Sequence, residues 1–346
     1  MSKKIFFIAN ASSIHTVKWV DYFVHKGYTV YLATFSKENH TACKNTYFLG
    51  EKGMDRAGKN YHYLLSVSKL AKILKKVKPD SINAHYSYSM GFVALLAKQR
   101  AGIEARFSVV CHGSDVLYPP VPFIVDKINR YVLKHADKIF AVSDEVREKI
   151  ESLEIESEKI FVGQYGIEIE KEETLKDIDI ISNRAYSSHS RTEFLLDALS
   201  ELNEQRLKIV FILPQIEDDH YALLVKKYPS FEFYKKMEHA RMLELIARSK
   251  IYISATRSDG TALSLLEAMY LGAVPLLSNI PSNRSWIADG LNGYLFDTKE
   301  LFISKMTYLL KMNERRYNEM QRLNCRLIEY RADYQTQMQK IETEVL

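Results

Sequence analysis

The chain has 346 residues, 47% of them hydrophobic and 26% charged, with a net charge of +5. That length and balance suit two globular domains with a core each and exclude a disordered chain; the mild basic excess lacks the concentrated basic face of a nucleic-acid binder. The three cysteines, Cys43, Cys111 and Cys325, have neither metal nor redox spacing and read as free thiols of a reducing cytoplasm.

Ile5-Phe6-Phe7-Ile8-Ala9 is too short for a signal peptide and reads as a first strand. A helix over 16–26 and a strand over 29–34 follow. Helices near 67–77 and 90–99 lead to strands at 81–84 and 106–110. A helix at 125–135 precedes the strand 138–142, and one from Asp144 precedes 160–162. The pattern restarts near 178–181, followed by a helix at 192–202 and a strand at 208–213. A helix at 240–248 leads to the strand 250–254, and a helix at 262–271 leads to 274–277. Helical stretches at 301–310 and 314–330 close the chain. Strands alternating with helices imply parallel sheets covered on both faces.

The sequence predicts a domain over 1–165, a charged linker over 166–177, a second domain over 178–325, and a C-terminal helix over 326–346. No run of ~18 apolar residues occurs, so no transmembrane helix is expected, and the protein is expected to stay in the cytoplasm.

Polar residues gather at expected strand ends, where open α/β sheets bind ligands. In the first half these are Asn10, His15, His85, Tyr86, His112-Gly113-Ser114-Asp115 and Ser143. In the second they are Asn183-Arg184, Asp259-Gly260-Thr261 and Ser278-Asn279.

Residues 251–277 are the most informative. The strand Ile251-Tyr252-Ile253-Ser254 is followed by a polar turn ending in Asp259-Gly260-Thr261. The next helix is apolar nearly all round, through Ala262, Leu263, Leu265, Leu266, Ala268 and Met269, so it should be buried. Ser264 and Glu267 are its polar exceptions, three apart and on one face. A buried carboxylate needs partners. A ribose diol would offer Glu267 two hydroxyl donors, and the helix N-terminus suits a diphosphate. The alternative is a surface-facing Glu267 with Thr261 or Asp259 as an N-cap.

Asp259 through Glu267 resembles the paired-acid motif of retaining GT-B glycosyltransferases of family 4, two acids separated by seven residues. Leu266-Glu267-Ala268-Met269, Gly272-Ala273-Val274-Pro275 and Asp289-Gly290-Leu291-Asn292-Gly293-Tyr294-Leu295-Phe296 are also similar to that family. In the first half, His15-Thr16-Val17-Lys18-Trp19, Pro79-Asp80-Ser81-Ile82-Asn83-Ala84-His85-Tyr86, His112-Gly113-Ser114-Asp115-Val116 and Ala136-Asp137-Lys138-Ile139-Phe140-Ala141-Val142-Ser143 match. The resemblance covers about residues 4–300.

The resemblance implies two Rossmann-like α/β domains facing each other across a cleft, with the C-terminal helix crossing back to the first. It implies transfer of a hexose or N-acetylhexosamine from a nucleotide diphosphate sugar, UDP before GDP, to a glycan or lipid-linked acceptor in cell-surface polysaccharide or lipopolysaccharide synthesis. Glu267 would hold the donor ribose. Gly260, Thr261, Ala262, Leu263 and Ser264 would hold donor hydroxyls and phosphate, and Asp259 would lie beside the transferred sugar. His112 would contact that sugar or its reacting centre. His15, His85 and Tyr86 would line the acceptor side. Arg184 would neutralise the leaving diphosphate, for which a planar fork of donors is suited.

The family's usual second cation, a lysine, is replaced by His189 or Arg191; permanent charge favours Arg191. The first loop, Asn10-Ala11-Ser12-Ser13, lacks the family's paired glycines, and Tyr165-Gly166-Ile167-Glu168 replaces its frequent Asn-Gly-Val-Asp. The strand Val210-Phe211-Ile212-Leu213 ends in Pro214 rather than a glycine-rich turn. With no obvious nucleophile, front-face attack by the acceptor is expected.

Neither a metal nor a cofactor is required by this scheme. Asp177-Ile178-Asp179 has metal-pair spacing but precedes its strand within an acid-rich stretch. The amphipathic segment 69–78 has a stripe of Leu70, Ile73, Leu74 and Val77 and a lysine-rich outer face, either solvated or touching anionic lipid at the inner membrane surface. Competing readings are a nucleotide-sugar epimerase of similar fold and a non-catalytic partner subunit.

Overall fold

The computed structural model describes residues 2–50, 60–117, 119, 121–170, 174–202 and 207–345. The chain divides into two compact units, Met1–Tyr165 with Gln335–Leu346, and Gly166–Tyr334.

The first unit is built on a parallel sheet of β1 (Lys4–Ile8), β2 (Thr29–Thr34), β3 (Asn45–Phe48), β4 (Ser81–His85), β5 (Arg106–Cys111), β6 (Lys138–Ala141) and β7 (Ile160–Val162). Its order is β3-β2-β1-β4-β5-β6-β7. Register follows the apolar runs, with Phe7 opposite Leu32 on one side and Asn83 on the other. Both faces are covered by helices, so β1 and β5 read as nearly continuous apolar strands. Trp19, Phe6, Phe7 and Phe23 are fully buried in this core, each worth about 1.5–3 kcal/mol of transfer free energy.

The second unit repeats the plan with β8 (Ile178–Ser182), β9 (Ile209–Ile212), β10 (Glu232–Tyr234), β11 (Ser249–Ser254), β12 (Val274–Ser278) and β13 (Tyr294–Phe296). All its pairings are parallel, in the order β10-β9-β8-β11-β12-β13. One helical layer packs around Phe211, Phe302 and Met306, the other around Tyr252, Leu266 and Trp286. The short elements Asn45–Phe48, Asp218–Lys227 and Glu232–Tyr234 carry too little periodicity to stand out in the sequence.

The charged stretch expected as a linker is tied into the second unit. The Ile167 backbone bridges to Asp333. The Lys176 ammonium donates to the carbonyls of Ser249 and Leu271, at 3.0 and 2.9 Å. Asp177 holds the Arg248 guanidinium through both oxygens, at 2.7 and 2.6 Å, and Asp179 pairs with Lys250 at 2.8 Å. Both acids of the apparent metal pair are thus structural counterions. Residues 171–173 of the stretch lie outside the described residues.

The C-terminal helix expected from residue 326 is two helices. Glu314–Arg331 stays in the second unit, and Tyr334–Val345 carries the chain into the first. Tyr22 and Tyr28 fix that last helix by donating to the Glu342 carboxylate at 2.7 and 2.5 Å. No helix among the described residues is long and apolar enough to cross a membrane.

Candidate functional site

In each sheet the strand order reverses once, between β1 and β4 and between β8 and β11. Loops leaving adjacent strands there turn in opposite directions, which opens a crevice at the carboxyl ends. The residues singled out in the sequence collect at these two places.

In the second unit, Asn183 and Arg184 leave β8 and the segment 255–262 leaves β11. The Arg184 guanidinium donates to the Asp259 carboxylate at 2.5 Å and more weakly to Ser264 Oγ at 3.4 Å. The Tyr252 hydroxyl, from inside β11, donates to Asn183 Oδ1 at 3.0 Å and lies 3.0 Å from Ser264 Oγ. Burial works against the charge of Arg184, but the facing Asp259 outweighs it and the guanidinium stays charged. Arg184, Asp259 and Ser264 therefore form one connected set.

Ala262 is the N-cap of the helix Leu263–Tyr270 and supplies no side-chain cap. The Thr261 hydroxyl donates to the Gly260 carbonyl at 2.9 Å, and Asp259 is engaged with Arg184. Glu267 is 5% exposed. Its Oε1 accepts a 2.9 Å hydrogen bond from His239 Nε2. The surface-facing alternative for Glu267 is thus set aside, and His239 is a partner that no sequence motif marked. It opens a helix, His239–Ala247, distant in sequence but packed against Leu263–Tyr270.

Arg191 and His189 separate in role. His189 Nε2 lies 2.8 Å from the Ser258 carbonyl, and its own carbonyl accepts from the Arg257 amide at 3.1 Å. The histidine is thereby laced to the loop that carries Asp259. Arg191 is the N-cap of Thr192–Ser200, in the left-handed region at φ 52°, with its guanidinium 4.2 Å over the Phe194 ring. Burial and the neighbouring Arg257 guanidinium both disfavour its charge and lower its pKa. Arg257 was not singled out by the sequence reading, because an isolated exposed arginine carries no pattern.

In the first unit, His15 follows β1, Tyr86 follows β4, and His112 follows β5. The four expected residues come together as a cluster of rings. His112 lies 4.1 Å from Tyr86, 5.1 Å from His85 and 5.5 Å from His15, centroid to centroid. Tyr165, at the end of this unit, stacks 4.5 Å from His15 and sets its hydroxyl 2.7 Å from His112 Nδ1. Tyr86 has φ 68°, a left-handed conformation uncommon for an aromatic residue and held by the π-turn Ser87–Gly91 that follows.

Asp115 organises this corner. Its carboxylate accepts from the amides of Ser87, His112 and Gly113 at 2.8, 2.9 and 3.1 Å. Burial pushes the carboxyl up to about 6 while those amides pull the other way. The acid thus pins the β4 loop to the β5 loop. The Gly113 φ of 98° lets the amides turn inward. Among the described residues, no group of three or more His, Cys, Asp or Glu side chains is arranged to hold a metal ion.

Two parallel α/β units with polar crevices at their switch points, one holding an arginine–acid pair beside a helix N-terminus, have the architecture of the GT-B fold. Residues 4–143 match the family model of glycosyl transferase 4-like proteins, and residues 166–323 match that of glycosyl transferases group 1. The chain belongs to the group 1, family 4-like glycosyltransferases. It is 22% identical over 151 residues to the UDP-N-acetylglucosamine–peptide N-acetylglucosaminyltransferase GtfA subunit of Streptococcus pneumoniae, covering 40% of this chain and 30% of that protein. It is 23% identical over 251 residues to the N-acetyl-alpha-D-glucosaminyl L-malate synthase of Bacillus anthracis, covering 67% of this chain and 65% of that one. The chain thus spans less than two thirds of the length of either relative. Anabaena HepE in complex with UDP and glucose has the same fold, with a TM-score of 0.80 over 99% of this chain and 98% of that one at 13% identity.

Proposed function

We propose that the chain is a retaining glycosyltransferase that moves a hexose or N-acetylhexosamine from a UDP-sugar to a glycan or lipid-linked acceptor of the cell surface. The observation that carries this reading is the connected set Arg184, Asp259 and Ser264 at the mouth of Leu263–Tyr270, with Glu267 buried on the same helix. UDP is favoured because both curated relatives transfer or join N-acetylglucosaminyl groups, one named for a UDP-sugar, and HepE holds UDP with glucose. GDP-sugars come next.

Breaking the anomeric C–O bond leaves two electrons on the diphosphate and positive charge on the sugar. Arg184 and the helix N-terminus stabilise the diphosphate. An anion beside Arg191 and Arg257 would relieve their mutual repulsion, so that pair extends the phosphate side. The acceptor oxygen forms the new bond to the same face of the anomeric carbon, and its proton passes to the departing diphosphate oxygen. Positive charge for the leaving group thus comes from arginine, without a metal. Glu267 holds the ribose, its Oε2 directed to one hydroxyl and Oε1 shared with His239.

The test is incubation with UDP- and GDP-sugars, with and without oligosaccharide and lipid-linked acceptors, in the presence of a chelator. Acceptor-dependent release of UDP and a product of unchanged anomeric configuration are expected. Release only from GDP-sugars, an inverted product or full loss of activity in chelator would each overturn the corresponding part.

The helix Val67–Val77 buries Leu70, Ala71, Leu74 and Val77 and leaves Lys72, Lys75 and Lys76 exposed. That face supports peripheral contact with anionic lipid at the inner surface of the cytoplasmic membrane. Salt-sensitive sedimentation with vesicles containing phosphatidylglycerol, absent with neutral vesicles, is the expected result.

A further inference from the structure

His112 is the residue on which the resemblance placed sugar contact, yet both its ring nitrogens are already engaged by the protein. Nδ1 lies 2.7 Å from the Tyr165 hydroxyl, and Nε2 lies 3.2 Å from His85 Nδ1. His85 Nε2 is buried and has no hydrogen-bond partner. Nothing in the sequence motif around His112 foreshadowed either partner, since Tyr165 follows β7 and His85 ends β4.

The direction of this chain can be worked out by counting unmet groups. If the Tyr165 O–H donates to His112 Nδ1, the His112 proton sits on Nε2 and donates to His85 Nδ1. His85 then carries its own proton on Nε2, and that N–H is the single unmet group. The opposite direction leaves His85 Nε2 without a donor and the Tyr165 proton without an acceptor. The first arrangement strands one group and the second strands two, each costing about 1–3 kcal/mol when buried. The Trp19 indole stands edge-to-face against His85 at 5.3 Å.

We propose that Tyr165 and His85 are positioning residues that fix His112 as its neutral Nε2–H tautomer, so that His112 meets substrate through its ring face and backbone and takes no part in proton transfer. This rests on the reading of the chain as a glycosyltransferase with His112 beside the sugar. It assigns the acceptor proton to the diphosphate by removing the one imidazole in the first unit that the sequence placed at the reacting centre.

The surroundings agree. The titratable groups about His112 are His15, His85, Tyr86, Tyr165, Cys111 and Asp115. Burial, reinforced by His85 and His15, holds the His112 imidazole well below its ordinary pKa, and burial with His15 holds His85 at about 3. Burial pushes the Tyr165 phenol well up, so it keeps its proton as a donor. The Asp115 carboxylate of this cluster is already turned to three amides.

The experiment is long-range proton–nitrogen NMR of the intact chain labelled with nitrogen-15 histidine, paired with steady-state kinetics. His112 and His85 are assigned by single substitution. In the native protein both rings are expected to show one Nε2–H tautomer and no titration between about pH 5.5 and 8, the window of an ordinary histidine. In Tyr165→Phe the His112 signals move to a tautomer mixture, and kcat falls about 10- to 100-fold with donor KM within about twofold, the size expected of a displaced positioning contact.

His85→Asn, which keeps an acceptor where Nδ1 stood, retains the tautomer; His85→Ala loses it. The His85 pair carries the test if Tyr165→Phe does not fold. Titration of His112 in the native protein, a tautomer mixture there, or loss of the tautomer with kcat unchanged overturns the proposal. Absence of UDP release from every UDP-sugar by the native protein would instead overturn the functional reading, and the NMR alone then decides the state of the ring.

Discussion

The Arg184 guanidinium stands 2.5 Å from the Asp259 carboxylate, and each side chain is 21% exposed. The two residues come from different strands, 75 positions apart, yet meet where β8 and β11 part. A carboxylate so placed orients the arginine and also offsets part of its charge. An approaching diphosphate must therefore compete with Asp259 for the guanidinium, or share it. Arg184→Lys keeps the charge but loses the planar fork.

The kinetic consequence is asymmetric. Arg184→Ala is expected to lower kcat about 100- to 1000-fold, as for loss of one donor to a developing anion. Asp259→Asn keeps a hydrogen-bond acceptor and should cost less. Because the two act as a unit, the double variant is expected to fall well short of the product of the single losses. Measured multiplicativity in steady-state transfer would show that they act independently.

Glu267 and His239 predict a split in donor binding. Glu267→Ala is expected to weaken UDP binding by about 10-fold or more, the worth of a charge-assisted hydrogen bond of about 1.5–3 kcal/mol. His239→Ala frees Oε1 and leaves the acid in place, so a smaller change is expected. Calorimetric titration with UDP, alongside far-ultraviolet circular dichroism to show intact folding, reads both. Unchanged affinity in Glu267→Ala would remove the ribose assignment.

The last helix should loosen in acid. Burial alone would raise the Glu342 carboxyl, but hydrogen bonds from Tyr28 and Tyr22, with Lys26 nearby, hold it below its ordinary value. A carboxyl depressed on folding stabilises the native state above its unfolded pKa. That contribution is lost as pH falls from the unfolded pKa through the lower folded value, because over that window the unfolded state binds the proton more readily than the native state. Urea midpoints of the native chain should fall more steeply below about pH 4.5 than those of Glu342→Gln. Parallel acid limbs would mean that Glu342 is not held by the two phenols.

Gly166 is expected to tolerate no side chain. Its φ is +73°, and a Cβ built there would lie 2.5 Å from Tyr334 Cα and 2.8 Å from Tyr334 N. Both are backbone atoms, fixed by the Ile167 pairing to Ala332 and Tyr334. Strain and steric displacement should together cost Gly166→Ala more than about 2 kcal/mol. The check is thermal unfolding, where an unchanged midpoint would contradict the contact.

Much of this site could be read from residue order. The sharp turn and apolar helix over 259–269 marked a buried segment, because an all-round apolar helix has no solvent face to present. Ser264 and Glu267 fell on one face of it by spacing, and Asp259 was marked by the resemblance to the paired-acid motif. The rings His85, Tyr86 and His112 were visible as polar residues at strand ends, where a parallel sheet leaves its loops. What spacing could not supply were partners from distant strands. His239 opens a helix with no motif, Tyr165 closes the first unit after β7, and Tyr252 looks like any apolar strand residue. Their hydroxyl and imidazole groups acquire a role only when another element arrives within hydrogen-bond distance.

The same division holds for the ends of the units. Alternating strands and helices determined two parallel α/β sheets, because period and length are local properties of the chain. The charged stretch after Tyr165 read as a free connector, whereas tertiary structure ties it to the second unit through Ile167, Lys176 and Asp177. Its Asp177 is the counterion of Arg248 and Lys208, and pairing of that kind depends on where the chain returns. The sequence by itself determined the alternation of strands and helices and the polar residues at the strand ends. Only the tertiary structure decided which of them hold one another, since hydrogen bonds depend on distance and direction that sequence separation does not encode.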